Sequence, residues 1–396
     1  MHSDRNALRK ERIKVKVGVI TGAGTGLRLT EIFKKFMSEM VAHYSNKEIE
    51  YFEDLKEDGT PYIYHSYQSL VEFAGNDSEV FDTESRKEVE RLYALTKSWH
   101  EAGVNVIFRT SINAEALYQF RQEVKAVKVF GIETPVGSRI LFIRDQAEGF
   151  YANQSYTIGV EESSIKFQGV YTKQHQQAVA NFALREAQKF MGDIPYQKWA
   201  IYKYHLFANL IEKWMQEVDQ TFISLQPDNG IANLINLIGK GHNGHLEYNN
   251  VLCVCSNEVG DMVYETMIGA MNIEPKFDLY SRNIYLSEEF SGEITEYQTV
   301  HGSADDLVDI EKLIPYATLR IVGDILAQYF DLQHLKSGIE LAIAESKRNQ
   351  NHHFSEILRT VFHYFSLNNH ADEEQSSRKA NRAHRKMDRA HQKFHP

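Results

Sequence analysis

The stretch with the clearest chemical content is Ile140–Tyr151, ILFIRDQAEGFY. Its apolar start, Ile140–Ile143, reads as a buried strand. The strand ends in Arg144 and runs into a turn carrying Glu148, Gly149 and, seven residues after the arginine, Tyr151. A guanidinium grips carboxylates and phosphates through paired N–H donors, and a phenol can hand over a proton. Together they describe an anion-binding, proton-donating corner. An ordinary strand end with a solvated arginine fits the same residues.

Three other spacings invite chemistry. TGAGTG at Thr21–Gly26 joins the alternating run IKVKVGVI to helical spacing from Leu29 to Met40, the opening of a βα unit. It is GxGxG without the full dinucleotide pattern, so a tight turn competes with a phosphate cradle. Lys240–His245, KGHNGH, sets His242 and His245 three apart, which suits either a metal pair or, given Gly241 and Gly244, a loop. Cys253 and Cys255 in VLCVC share one side of a strand. They are too close for an ordinary bridge and lack a second pair for zinc, so they read as reduced core thiols.

The elements that must position these groups follow from periodicity. Val89, Leu92, Leu95 and Trp99 predict a helix over Thr83–Ala102, ended by Gly103. Val104–Phe108 and Val124–Phe130 read as strands, and Tyr151–Thr172 as turn-linked strands. Helices are predicted over His175–Phe190, Leu206–Ile223, Val263–Met271, Leu319–Phe330 and Phe354–Leu367. Further strands are predicted at Trp199–Lys203, Val251–Cys255 and Phe277–Tyr280. Residues 45–79 read as polar and turn-rich. Strands alternating with helices give an α/β class.

The totals bound the rest. A chain of 396 residues, 42% hydrophobic and 25% charged, can bury a large core in two domains or one discontinuous unit. A net charge of −10 argues against a general nucleic-acid or membrane-surface binder. The exception is Arg378–Lys393, with seven Lys/Arg and one acid, Asp388, which reads as a basic tail that could hold a polyanion. No apolar run has the length of a membrane span. The opening MHSDRNALRKERIK lacks an apolar core for a secretory signal, so a cytoplasmic protein is expected.

Five motifs fall in one order: GVITGAGTG, SIN at Ser111–Asn113, IRDQAEGFY, WAIYK at Trp199–Lys203, and VHGSADDL at Val300–Leu307. In this order, together with YTKQHQQAVANFALREAQK from Tyr171, they resemble the isocitrate/isopropylmalate dehydrogenase family of metal-dependent decarboxylating dehydrogenases. The resemblance implies a two-domain α/β fold with a large domain discontinuous in sequence. That domain would comprise 1–120 plus 298–370, with 121–297 as a small domain bearing a dimer arm and 371–396 as a flexible basic tail. It implies NAD-dependent oxidative decarboxylation of an isocitrate-like 2-hydroxy acid by a homodimer. Arg144 would grip a substrate carboxylate, aided by Ser111, Asn113 and Lys125 (or Arg121). Tyr151 would handle the proton at the enol carbon, and Lys203 the hydroxyl proton. His301, Gly302, Ser303 and Ala304 would wrap the cofactor's adenosine, and Asp306 would take the ribose hydroxyls, favouring NAD over NADP.

For the metal, Mg or Mn, the family carries aspartates in a Gly-Asp-Ile-x-Ser-Asp helix start. The match taken here is FSGEITE at Phe290–Glu296, with Glu293 and Glu296 on one helix face and Glu265 or Asp261 lent by a partner. Ala23 stands where the family's glycine turn has an Asp, and both metal acids at FSGEITE are Glu. These departures imply the alternative, a non-catalytic member that binds ligand or regulates.

Overall fold

Apolar strands alternate with amphipathic helices along residues 14–299, and this α/β order builds one sheet with helices on both faces. The structure, a computed structural model, describes residues 13–75, 77–134, 136–149, 156–158, 165–167, 169–202, 206–240, 249–270, 279–299 and 310–365. The chain separates into two compact units, 1–306 and 307–396.

In the first unit the order is β1 (Lys14–Gly22), α1 (Gly26–Tyr44), β2 (Glu48–Glu53), β3 (Ile63–Tyr64), α2 (Tyr67–Ala74), α3 (Ser78–Glu101), β4 (Val106–Arg109), α4 (Ala114–Glu123), β5 (Ala126–Glu133) and β6 (Arg139–Asp145). It continues with β7 (Tyr156–Ile158), β8 (Ile165–Phe167), α5 (Lys173–Met191), β9 (Gln197–Ile201), α6 (Leu206–Gln216), β10 (Phe222–Leu225), α7 (Pro227–Lys240), β11 (Val251–Cys255), α8 (Asn257–Ala270), β12 (Tyr280–Tyr285) and β13 (Thr295–Thr299). The second unit holds α9 (Tyr316–Tyr329), α10 (Gln333–Arg348) and a helical stretch over 354–365. There α9 and α10 pack through Gly323 against Ile339 and through the ion pairs Arg320–Glu340 and Lys336–Asp324.

The main sheet has eleven strands in the order β10-β9-β11-β6-β5-β12-β13-β4-β1-β2, with β3 beside β1. Two parallel wings flank an antiparallel centre, β6-β5-β12-β13. Alternation along the strands sorts residues between the faces. One face packs Val127, Val129, Leu141 and Ile143 against α5 and α6. The other carries two apolar clusters, Ile140, Phe142 and Trp199 with α7 and α8, and Ile107 and Ala126 with α3 and α4. The strands β7 and β8 pair antiparallel apart from this sheet. Cys253 and Cys255 are free and buried, with sulfurs 3.5 Å apart. No described helix is long and apolar enough to cross a membrane.

Local chemistry sets the helix starts. Asp77 caps α3 through Glu79 N and Val80 N, Asn113 caps α4, and Ser66 and Ser69 form a reciprocal box at α2. Several expectations are corrected. The helix predicted to Ile223 stops at Gln216, because Asp219 accepts from Thr221 N in a turn and Phe222–Leu225 then enters β10. FSGEITE is a turn leading into β13, not a helix; Gly292, at φ +78°, breaks it. Residues 45–79, read as turns, contain β2, β3 and α2.

Gly22 closes β1 against the loop after β4. A Cβ there would lie 1.7 Å from the Ser111 backbone oxygen, which cannot swing aside. Gly22→Ala is therefore expected to lower stability by at least the roughly 1–3 kcal/mol of an overpacked core, read as a drop in urea midpoint; an unchanged midpoint would contradict this packing.

Candidate functional site

Between the two apolar clusters on the α4/α8 face, the sheet turns polar. Lys128 stands directly opposite Arg144 in the β5/β6 ladder and opposite Asn283 on β12, and Asn283 stands opposite Glu296 on β13. Like charges directly opposed across strands destabilise a sheet. This row therefore has a reason other than folding. Arg109, wholly buried at the end of β4, pairs with Glu296 at 3.0 Å. Glu296 also accepts from Asn283 at 2.8 Å and from Tyr285 at 2.5 Å. From α4, Arg121 donates to Gln298 at 2.9 Å.

The other wall is α8. Asn257 Oδ1 accepts from Arg144 Nε at 3.0 Å and from its Nη2 at 2.7 Å, while Asp261 takes Nη1 at 2.5 Å. Gly260 permits this approach, since a Cβ would meet Arg144 Cγ at 2.7 Å. The ring of Tyr264 covers Lys128, with the ammonium 3.8 Å from its centroid. Lys128 has no hydrogen-bond or ion-pair partner among the described residues.

Electrostatics mark the row as anion-seeking. Burial, then the charges of Arg144 and Arg121, pull the Lys128 ammonium down to about 7, and Asp261 and Glu265 offset this only in part. Burial and Arg109 likewise bring Arg121 down to about 10. Burial would raise Glu296, but Arg109 holds it below the usual carboxylate value. A carboxylate ligand laid along Arg121, Lys128 and Arg144 would relieve the mutual repulsion.

Behind Arg144 lies a second cluster. Asp145, Glu148 and His175 are buried, with one ligand atom from each within 4.8 Å of the others. Asp145 accepts from Ala147 N and Gln176, both at 2.9 Å, and meets His175 Nε2 at 2.9 Å. Glu148 accepts from Thr172 N, Thr172 Oγ1 and Gln176. Every carboxylate oxygen thus carries a protein hydrogen bond, so the trio works as an ion-paired latch from the end of β6 to the first turn of α5.

Of the residues expected from sequence, Arg144 stands in the row. Asn113 is wholly buried, its side chain spent on Glu115 N and Ser85 Oγ. Ser111 is half-buried beside it. Lys125, at φ +51°, sits in the turn before β5 and acts electrostatically on His175. Glu265 is exposed on α8. Glu293 and Glu296 do not share a helix face: Glu293 is 62% exposed in the turn, near His100, while Glu296 lies in β13, bound to Arg109. Tyr151, Lys203, His301, Gly302, Ser303, Ala304 and Asp306 lie outside the described residues, as do His242 and His245.

Sequence reasoning missed Lys128, Asn257 and Tyr264, and undervalued Asp261. The signal was available. Gly260-Asp261-Met262-Val263-Tyr264-Glu265 lies within α8 in the Gly-Asp-x-x-x-acid order sought at FSGEITE. An open cavity of about 790 Å³ at the start of β9, lined by Gly192, Tyr196 and Lys198, contains none of these groups.

No family model matches the chain, and no curated protein matches it in sequence. Among solved structures it is similar to the TT0538 protein from Thermus thermophilus, with a TM-score of 0.58 and 14% identity over 88% of this chain and 68% of that one. It is also similar to isocitrate dehydrogenase from Methylococcus capsulatus, with a TM-score of 0.56 and 14% identity over 88% of this chain and 99% of that one. The fold is thus isocitrate dehydrogenase-like. At this identity the likeness speaks for the fold alone.

The latch titrates. Burial would lower His175, but the charge and hydrogen bond of Asp145 outweigh it and hold the imidazole above its ordinary 6.5. Burial would raise Asp145, and His175 holds it below 3.8. A raised histidine stabilises fully below its ordinary value and fades as pH rises through the raised one. A depressed aspartate stabilises above its ordinary value and fades as pH falls through the lowered one. His175→Gln should therefore cost most near about pH 5 and distinctly less near about pH 9, measured as urea midpoints; an equal cost at both would break the assignment.

Proposed function

We propose that this chain binds a small polycarboxylate along Arg121, Lys128 and Arg144, and that its reaction is NAD-dependent oxidative decarboxylation of an isocitrate-like 2-hydroxy acid. The observation that carries the reading is the like-charge row. Basic side chains held against one another in a sheet centre, with the Asp261 carboxylate set against Arg144 alone, favour an anionic ligand, and the fold is isocitrate dehydrogenase-like. In this reading the ligand carboxylate takes the place of Asp261 at Arg144. Ser111 and Asn113 keep the loop after β4 in place, and Lys125 stays with the latch.

Asp261 and Glu265 offer hard oxygens one helical turn apart, the donor type that Mg²⁺ or Mn²⁺ takes. They fit such a cation in kind, with a further acid needed from elsewhere. A cation held there would stabilise the charge that develops on a carbonyl oxygen as CO₂ leaves. Tyr151 is assigned proton transfer at the enol carbon, and Lys203, reaching from the second copy of a homodimer, the hydroxyl proton. His301–Ala304 and Asp306 are assigned NAD. The domain boundaries at 120, 297 and 370, with a dimer arm in the middle part, and a cytoplasmic setting belong to the same proposal.

A second reading has its own support. The guanidinium of Arg144 is already satisfied by Asn257 and Asp261, which suits a non-catalytic subunit that binds ligand weakly. Turnover separates the two. NADH absorbance should rise with isocitrate, NAD and Mn²⁺, and Arg144→Lys should lower kcat/KM roughly 10- to 150-fold, the worth of a charged hydrogen bond. No NADH from isocitrate or from any other 2-hydroxy di- or tricarboxylate would remove the oxidoreductase and leave the binding subunit.

A further inference from the structure

Lys128 has features that anion binding does not require. It is 8% exposed, lies against the ring of Tyr264, and has no acid bonded to it among the described residues. Arginine would serve a carboxylate better, through two donors and a permanent charge. A lysine desolvated beside other cations instead keeps a free amine, the condition for attack on a carbonyl. Burial and the guanidiniums bring it to about 7, so a large share is amine at neutral pH. Its position opposite Arg144 sets the two Cβ atoms roughly 4.5–5.5 Å apart, so the two side chains can reach adjacent carbons of one small acid.

We propose that Lys128 forms an imine with the carbonyl carbon of a 2-oxo acid whose carboxylate is held by Arg144, and that this imine carries the loss of a β-carboxylate as CO₂. The proposal rests on the reading that the row receives a carboxylate, and it is separate from the cation at Asp261. The Lys128 Nζ lone pair bonds to the carbonyl carbon as the C=O π pair moves to oxygen. That oxygen takes a proton from the new ammonium and one from solvent and leaves as water, while the nitrogen lone pair closes the iminium. The bond from the adjacent carbon to the β-carboxylate breaks, and its pair moves towards the iminium nitrogen, leaving an enamine and CO₂. A proton adds to that carbon, and water hydrolyses the imine. The shortened 2-oxo acid and the free amine are returned, and nothing is oxidised or reduced.

The test uses the full chain with oxaloacetate, a chelator and sodium cyanoborohydride near neutral pH, followed by intact mass and peptide mapping. The expected result is one reduced adduct on Lys128, lost in Lys128→Arg, whose circular dichroism and melting temperature would confirm that it folds. No adduct on the wild-type chain, or an undiminished adduct in Lys128→Arg, overturns the proposal. Calorimetry of the wild-type chain with L-malate, which has no carbonyl to attack, separates the failures. Binding of malate without an adduct ends the imine alone, and absence of both ends the carboxylate site as well.

Discussion

Two basic side chains, Arg144 and Lys128, stand directly opposite each other on neighbouring strands in the middle of the sheet. Such a pair works against folding, and much of the surrounding structure holds it in place. Asn257 and Asp261 occupy the guanidinium from α8, Gly260 lets that helix approach, and the Tyr264 ring lies over the ammonium. On the far side of the row, Arg109 and Glu296 neutralise each other and absorb Asn283 and Tyr285. The net result is a half-compensated positive strip between two apolar clusters.

The opposite face bears the mechanical load. The end of β6 carries Arg144 on one side and Asp145 on the other, as strand alternation demands. Asp145 is fixed to His175 and Gln176, Gln176 to Tyr202, and Glu148 to Thr172 at the start of α5. One strand end thus places the ligand-facing arginine while its neighbour anchors the strand to a helix. Because Arg144 and Asp145 share one backbone, the latch fixes the strand end that carries the arginine.

Much of this was legible in the sequence, for identifiable reasons. Strong periodicity marks β6, α3, α5, β11 and α9, and IRDQAEGFY marks Arg144 from sequence alone. The misses have physical causes too. Lys128 is a lone charge in AVKVFGIE, and one charge in an apolar strand gives no sign of its neighbour until the register is known. The helix run from Leu206 hid β10, because apolar residues at its end satisfied both periods. FSGEITE offers two acids after a glycine, but Gly292 lies in a turn at φ +78°, whereas Asp261 and Glu265 lie within α8. The short reach of pattern matching explains the pull, since Glu293 and Glu296 have the right types and the wrong backbone.

The function proposed for this site requires that the row seat a carboxylate ligand between Lys128 and Arg144. Calorimetry of isocitrate binding across pH, in buffers of different ionisation enthalpy, tests it most directly. A bound carboxylate must raise Lys128 from about 7, so binding takes up protons above that value and affinity falls as pH rises beyond it. That proton uptake and that decline are the expected results. Binding that is independent of pH and of buffer, or no binding at any pH, would contradict it.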